Sequence, residues 1–526
     1  MNLIKKLHIS TSHPQTFLFV IAVFLLCLIS VFLYCYATPY GIGLTNDSAA
    51  YLGGARSLLT GFGYARIGGD GLPRLITHFP PMYSLFIAAA AFLGKTDVFK
   101  SAWGINLFCY AANLVLFVLL LKQMTHHHLP ALLAGICYLC CGPILQAHVY
   151  GLSEALFLAF FLSTLLFLLS DKKSEFRSAH WLFIGFWIGI LTLIRYIGVA
   201  TLLTALIVVI CSIPAKKKKI RASISLLIGF FLPVSLWLIR NGIAGENAVN
   251  RSFSWHWPAA DKTEEGLRNL ASFFLPEFGG IVEKFLPFWG IILSILLAGL
   301  LIWTFRSCIR ILSAQKAAES AVLLSLQAVV YFFSVIFVVI CIDGSTLFDN
   351  RIFLPFYVCL SAMVIDSASR LFTKKRSLKI TGIIIILVFS ALLIEDESDL
   401  WNTYHQDGQG FASQSWRESE TRNGAIALPQ TADLFSNRQT FLWLMNNQPT
   451  YILPPMFNAA NQEERESFEA EKEWMREDIL SHKAYAVIFN YQEMMNDPGD
   501  RAWLDLLLED LPIYGEYSDG MIFGIR

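Results

Sequence analysis

The sequence predicts a polytopic α-helical membrane protein. It has about eleven spans with outer juxtamembrane helices, followed by a small C-terminal α/β domain outside the cytoplasm. Three observations predict this. Of 526 residues, 55% are hydrophobic and 15% charged, against about 25% charged in soluble domains. The apolar residues gather into runs long enough to cross a bilayer, which takes roughly 20 residues. Charge is also divided: residues 395–526 hold 24 Asp/Glu and 9 Lys/Arg, whereas residues 1–394 hold 16 and 31. A net charge of zero therefore conceals a basic apolar part joined to an acidic, water-soluble tail. Disordered, collagen-like and disulfide-rich secreted classes are excluded. All ten cysteines precede residue 360, in or beside apolar runs, and read as buried free thiols; this includes the Cys137-x-x-Cys140 pair.

The first apolar run, 17–37, follows Lys5 and Lys6 and is too long for a signal-peptide core, so it reads as an uncleaved anchor. Further spans are expected near 101–121, 130–149, 152–170, 181–195, 197–213, 222–240, 285–305, 320–342, 352–370 and 378–394. Basic residues test the count. Lys122, Lys172/Lys173/Arg177, Lys216–Lys219, Arg306/Arg310/Lys316 and Arg370/Lys374/Lys375/Arg376 all fall on one side, with the N-terminus, when eleven spans are counted. That side is cytoplasmic by the positive-inside rule. The stretch 181–213 must then be two short spans turning at Arg195-Tyr196. The apolar segment 80–94 is too short for a span and reads as an interfacial helix. The outer surface comprises loops 38–100 and 241–284, the turn 343–351 and the tail. The cytoplasmic loops are short, so any site is expected outside. A bacterial inner membrane suits the cysteine-free tail. In the domain organisation expected here, residues 1–394 form the membrane part and 395–526 the extracytoplasmic domain. That domain has strands near 433–436, 451–453 and 485–489, helices near 438–446, 462–482 and 500–509, and a final strand or hairpin at 512–525.

Ionisable groups at span ends are costly and mark candidate sites. Asp47, ten residues past the first span, either caps a helix over 48–59 or acts as a general base at the membrane surface. Glu154 opens a span; it either complements the helix dipole or serves as a second acid or metal ligand facing Asp47. Arg195, Arg240 and Arg351 lie at outer span ends, where the positive-inside bias disfavours them. They either snorkel to head groups or grip a lipid phosphate in bidentate fashion. His78 and Tyr83, in His-Phe-Pro-Pro-Met-Tyr, are interface anchors or substrate-orienting groups.

The order of these elements carries a resemblance. Asp47-Ser-x-x-Tyr51 follows the first span, and His78-x-Pro-Pro-x-Tyr83 comes next. Glu154 opens a later span, Leu193-Ile-Arg195 closes another, and Asp349-Asn-Arg351-x-x-x-Pro355 lies near the end of the membrane part. This resembles the GT-C class of membrane glycosyltransferases, which includes protein O-mannosyltransferases and the enzyme that adds aminoarabinose to lipid A. The resemblance covers residues 1–394. It implies a polyprenyl-phosphate sugar donor, an inverting transfer outside the cytoplasm to a glycan, lipid or protein acceptor, and the first-loop acid, here Asp47, as base. Negative charge builds on the departing phosphate, and arginine contacts there strengthen with it. Arg195, Arg240 and Arg351 are the candidates, Arg351 first because the resemblance reaches it. His78 or Tyr83 would orient donor or acceptor, and Tyr51 is a further substrate-binding candidate. Many members carry paired acids in the first loop, whereas Asn46 and Ser48 flank a single Asp47 here. No cofactor is therefore assigned, and a divalent metal, with Glu154 among its ligands, stays an open alternative. No nucleic-acid partner is expected. The competing reading is a transporter of a small or lipid-linked solute, which would need polar groups at mid-membrane and access from both faces.

Overall fold

The computed structural model of the chain describes residues 14–170, 178–244, 260–273, 286–314, 320–342, 348–372, 398–458 and 463–525, with a few single residues between them. The predicted span 378–394 lies almost wholly outside the described residues, and so does much of loop 241–284. Each of the other ten predicted spans falls on helix. The helices are α1 (Pro14–Ala37), α2 (Asn46–Leu59), α3 (Met82–Gly94), α4 (Val98–Thr125), α5 (His128–Leu139), α6 (Gly142–Val149) and α7 (Glu154–Leu169). They continue with α8 (Ser178–Ile194), α9 (Val199–Ser212), α10 (Lys216–Ile243), α11 (Ala260–Ser272), α12 (Leu286–Ala314), α13 (Ser320–Cys341) and α14 (Asn350–Phe372). An antiparallel hairpin of β1 (Ala65–Ile67) and β2 (Pro73–Leu75) lies between α2 and α3.

Among the described residues α1, α4, α10, α12, α13 and α14 are each long and apolar enough to cross a membrane. The predicted span 130–149 is not one straight helix. It is the pair α5 and α6, bent by 62°. Pro143 in the first turn of α6 explains the break, because proline lacks an N–H and is tolerated at a helix start but not in its interior. The expected turn at Arg195-Tyr196 is present: α8 ends at Ile194 and a short 3-10 turn, Tyr196–Gly198, leads into α9. Helices α8 and α10 pack backbone to backbone. A Cβ on Gly185 would stand 2.0 Å from the Leu226 carbonyl oxygen, and one on Gly229 2.1 Å from that of Leu182. Small residues permit this approach, and lipid-embedded helices gain attraction from such close packing.

Buried polar side chains tie the bundle together. Asn106 donates to the carbonyls of His148 (2.9 Å) and Tyr150 (2.7 Å) and accepts from the Tyr83 hydroxyl at 2.9 Å. The fully buried His148 ring bonds the Ile144 carbonyl at 2.6 Å through Nδ1. Its Nε2 is therefore the acceptor for Asn113 Nδ2, 2.9 Å away.

The tail forms a five-stranded mixed sheet of β3 (Asp433–Ser436), β4 (Tyr451–Ile452), β5 (Ala484–Phe489), β6 (Ile513–Tyr517) and β7 (Gly520–Phe523) in the order β4-β3-β5-β7-β6. β3 runs parallel to β4 and β5, while β6 and β7 make the terminal hairpin. Every residue of β5 is buried, and the two-residue period sorts them. Ala484, Ala486 and Ile488 face a core shared with Phe468–Leu480 and Pro498–Leu508. Tyr485, Val487 and Phe489 belong instead to the large core that runs on into α2 and α4. The sheet is thus covered on both sides, on one of them by the tail helices Glu420–Ile426 and Gln439–Asn446, the second of which lies in turn against α2.

Candidate active site

The segment ahead of Asp47 is held by backbone pairing. Gly43 N–H donates to the Val149 carbonyl, Gly151 N–H to the Gly43 carbonyl (both 2.8 Å), and Phe411 N–H to the Leu44 carbonyl at 2.9 Å. Helix α2 then begins with Thr45 as its N-cap, and the Ser48 hydroxyl accepts from Thr45 N–H at 3.0 Å. The expectation that Asp47 is itself the cap is corrected. Asp47 sits within the first turn, its side chain 46% exposed, on the wall of a cavity of about 430 Å3.

The opposite wall comes from the start of α14. Asp349 precedes that helix: its Oδ1 accepts from Ile352 N–H at 3.1 Å and its Oδ2 from Arg351 Nε at 2.6 Å. The remaining edge of Arg351 turns towards the other acids, with Nη1 3.5 Å from Asp47 Oδ2 and 3.7 Å from Glu154 Oε1. These separations give ionic attraction without a well-formed hydrogen bond. Glu154, only 2% exposed, lies at the start of α7 and is ion-paired with Arg195. Arg195 Nη1 also donates to Ser153 Oγ at 3.4 Å, and Ser153 donates to the Tyr51 hydroxyl at 3.1 Å. Burial pushes the Tyr51 hydroxyl up to about 12, against the lowering pull of Arg195, so it stays protonated at neutral pH.

Helices far apart in sequence thus bring Asp47, Glu154, Arg195, Arg351 and Tyr51 together. Three other candidates lie elsewhere. Arg240 donates to the carbonyls of Ile76 (2.6 Å) and Tyr64 (2.9 Å) and stacks on Trp237, so it fastens the loop between α2 and α3 to the end of α10. Tyr83 is completely buried, with its hydroxyl on Asn106 and its ring edge-on to Tyr51. It packs against Tyr51 and does not line the cavity. His78 is exposed beside Phe79 and does not line the cavity.

The cavity wall also includes Asn46, Gln146, Glu265, Asn269 and Asp349, none of which was singled out as a site residue. Asp349 had a signal, since an acid just before a helical apolar run is a capping pattern. Glu265 and Asn269 had none beyond the polar face of an amphipathic stretch. Among the described residues, no three of His, Cys, Asp and Glu are grouped to hold a metal ion. Of the three carboxylates on the cavity wall, Asp47, Asp349 and Glu265, the first two face the Arg351 guanidinium. No step below uses a metal ion.

No family model matches the sequence, and no curated protein does. Twenty-four solved chains match the structure. The archaeal oligosaccharyltransferase AglB from Archaeoglobus fulgidus, in complex with an inhibitory peptide and a dolichol-phosphate, aligns over 94% of this chain and 72% of its own, with TM-score 0.54 and 12% identity. ArnT from Cupriavidus metallidurans bound to undecaprenyl phosphate aligns over 95% and 97%, with TM-score 0.55 and 11% identity. In its apo state ArnT covers 98% of both chains at 0.54 and 12%. At these identities the likeness is one of fold. This chain is an integral, multi-pass membrane protein with the fold of the GT-C class of membrane glycosyltransferases.

Proposed function

We propose that this protein is a glycosyltransferase. It moves a sugar from a polyprenyl-phosphate-linked donor to an acceptor hydroxyl on a glycan, lipid or protein, at the non-cytoplasmic face of a bacterial inner membrane. The observation that carries the reading is the meeting of Asp47 and Arg351, 3.5 Å apart on one cavity, from helices about 300 residues apart in sequence. The structures of AglB and ArnT with dolichol-phosphate and undecaprenyl phosphate support the donor class.

A sugar hydroxyl is a poor nucleophile until its proton is drawn away. Asp47 takes that proton as the hydroxyl oxygen bonds to the anomeric carbon. The bond from that carbon to the phosphate oxygen breaks, and its electron pair leaves with the polyprenyl phosphate. One displacement from the face opposite the phosphate inverts the anomeric centre. As Asp47 loses its charge the phosphate gains one, and Arg351 stands next to the carboxylate. Its attraction shifts from the neutralised acid to the departing phosphate without any large movement, so the stabilisation grows along the reaction coordinate. The Glu154–Arg195 pair lies beneath and fixes the local field.

The test is transfer from undecaprenyl-phosphate sugars by purified protein in detergent or nanodiscs. Asp47→Asn is expected to lower kcat by about 100-fold to 10,000-fold, the usual range for a general base, while the protein remains folded. Undiminished kcat in Asp47→Asn would remove the base from the scheme.

A further inference from the structure

The tail helix Gln439–Asn446 lies alongside α2, and its contacts span that helix from first turn to last. Thr440 donates its hydroxyl to the Asn46 side-chain oxygen at 2.5 Å, one residue from Asp47. In the middle, Trp443 covers Gly53 so closely that a Cβ there would lie 1.9 Å from its ring. At the far end Arg56 donates to the Asn447 side-chain oxygen (3.3 Å) and the Leu444 carbonyl (3.4 Å). Behind that tail helix stands the β5 face of Tyr485, Val487 and Phe489, part of the same core. The extended residue Leu44, just ahead of α2, is pinned by Phe411 as well.

A 14-residue helix is marginal by itself, and its first turn is the part that frays most readily. Asp47 lies in that turn, and a displacement of about 1 Å in a reacting group can cost roughly 100-fold in rate. We propose that the tail is a positioning element of the active site, in which Thr440 and Trp443 seat α2 and thereby hold Asp47 against Arg351. This rests on Asp47 acting as the base. Thr440 touches Asn46 and not the reacting atoms, so it is a positioning residue.

Hydrogen–deuterium exchange of the full-length protein tests the seating without any substrate. In Thr440→Val, amides over 46–52 should exchange about 2-fold to 10-fold faster, the range a single hydrogen bond supports. Those over 484–489 and 513–523 should keep their protection, and Thr440→Ser should restore the wild-type rate. Gly53→Ala should accelerate the same segment, and adding Trp443→Leu should reverse part of that gain. Unchanged exchange over 46–52 in Thr440→Val overturns the proposal. With an undecaprenyl-phosphate sugar as probe, Thr440→Val should lower kcat at least tenfold with donor KM within twofold of wild type. Accelerated exchange with unchanged kcat also overturns it. Absence of transfer by the wild-type protein overturns the functional reading and this proposal together, whereas active wild type with silent exchange overturns this proposal alone.

Discussion

The Glu154–Arg195 pair is the place where the site and the stability of the fold meet. Glu154 is almost fully buried, and Arg195 is its direct partner. Arg351 Nη1 is a second cation, 3.7 Å away. Two unit charges at that separation attract by about 4–5 kcal/mol at an effective dielectric of about 20. Removing one member of a buried pair commonly costs about 3–5 kcal/mol, because the other charge is left in a poor solvent. Arg195→Met leaves Glu154 with Arg351 alone, so a loss near 3 kcal/mol is expected. Glu154→Gln leaves two guanidinium groups facing each other and should cost a similar amount. The double variant buries no ionic pair at this point and should lie within about 2 kcal/mol of wild type. Equilibrium unfolding in mixed detergent micelles, run as a double-mutant cycle, should therefore return a coupling of at least about 2 kcal/mol. Strictly additive losses would refute the reasoning. Glu154→Gln also takes an anion away from Arg351, so undecaprenyl phosphate should bind the Gln variant more tightly than wild type.

Arg351→Ala should weaken undecaprenyl-phosphate binding by about tenfold or more, the scale of a charge-assisted contact; unchanged affinity in a titration would assign this arginine to structure alone. Gly185→Leu should destabilise the protein by about 3 kcal/mol or more, because its side chain meets the Leu226 backbone and α8 must part from α10. Thermal unfolding would read this, with Gly104→Ala, which meets nothing within 4 Å, as the silent control. Tyr51→Phe tests the buried hydroxyl through pH. Burial pushes its pKa up to about 12, above the ordinary tyrosine value of about 10, so the folded state binds more protons between those values. The wild type should then lose stability from pH 10 towards pH 12 more steeply than Tyr51→Phe, by up to ~1.4 kcal/mol per unit, the variant keeping the contribution of the other buried tyrosines. Parallel pH profiles for the two proteins would contradict the burial of this group.

The positions of helices were legible in the sequence wherever length and apolarity decide them, as in α1, α4, α10 and α13. Lipid imposes a minimum run of apolar residues, and a linear count can read it. The turn at Arg195-Tyr196 was legible for a related reason: basic loops must keep to one side, and that parity forced two short helices into 181–213. The bend between α5 and α6 was within reach through Pro143, but an apolar run masks a break in direction. The tail strands stood out as short apolar runs, and the unbroken run of β5 suits a strand buried on both faces. Which elements cover each face was not legible, since a strand's own residues do not name what packs on them.

For the site, residue chemistry picked out costly charges at span ends, and this alone raised Asp47, Glu154, Arg195, Arg240 and Arg351. It did not rank the three arginines, and only the resemblance put Arg351 first. Only the tertiary structure separates them: Arg195 and Arg351 meet acids across helix boundaries, while Arg240 bonds backbone carbonyls of the neighbouring loop. Thr45 rather than Asp47 caps α2, Tyr83 lies beneath the cavity, and Glu265 lies on its wall. Membrane insertion is a property of each segment and can be read segment by segment. Which charge meets which depends on distances between segments hundreds of residues apart, and those are set by packing.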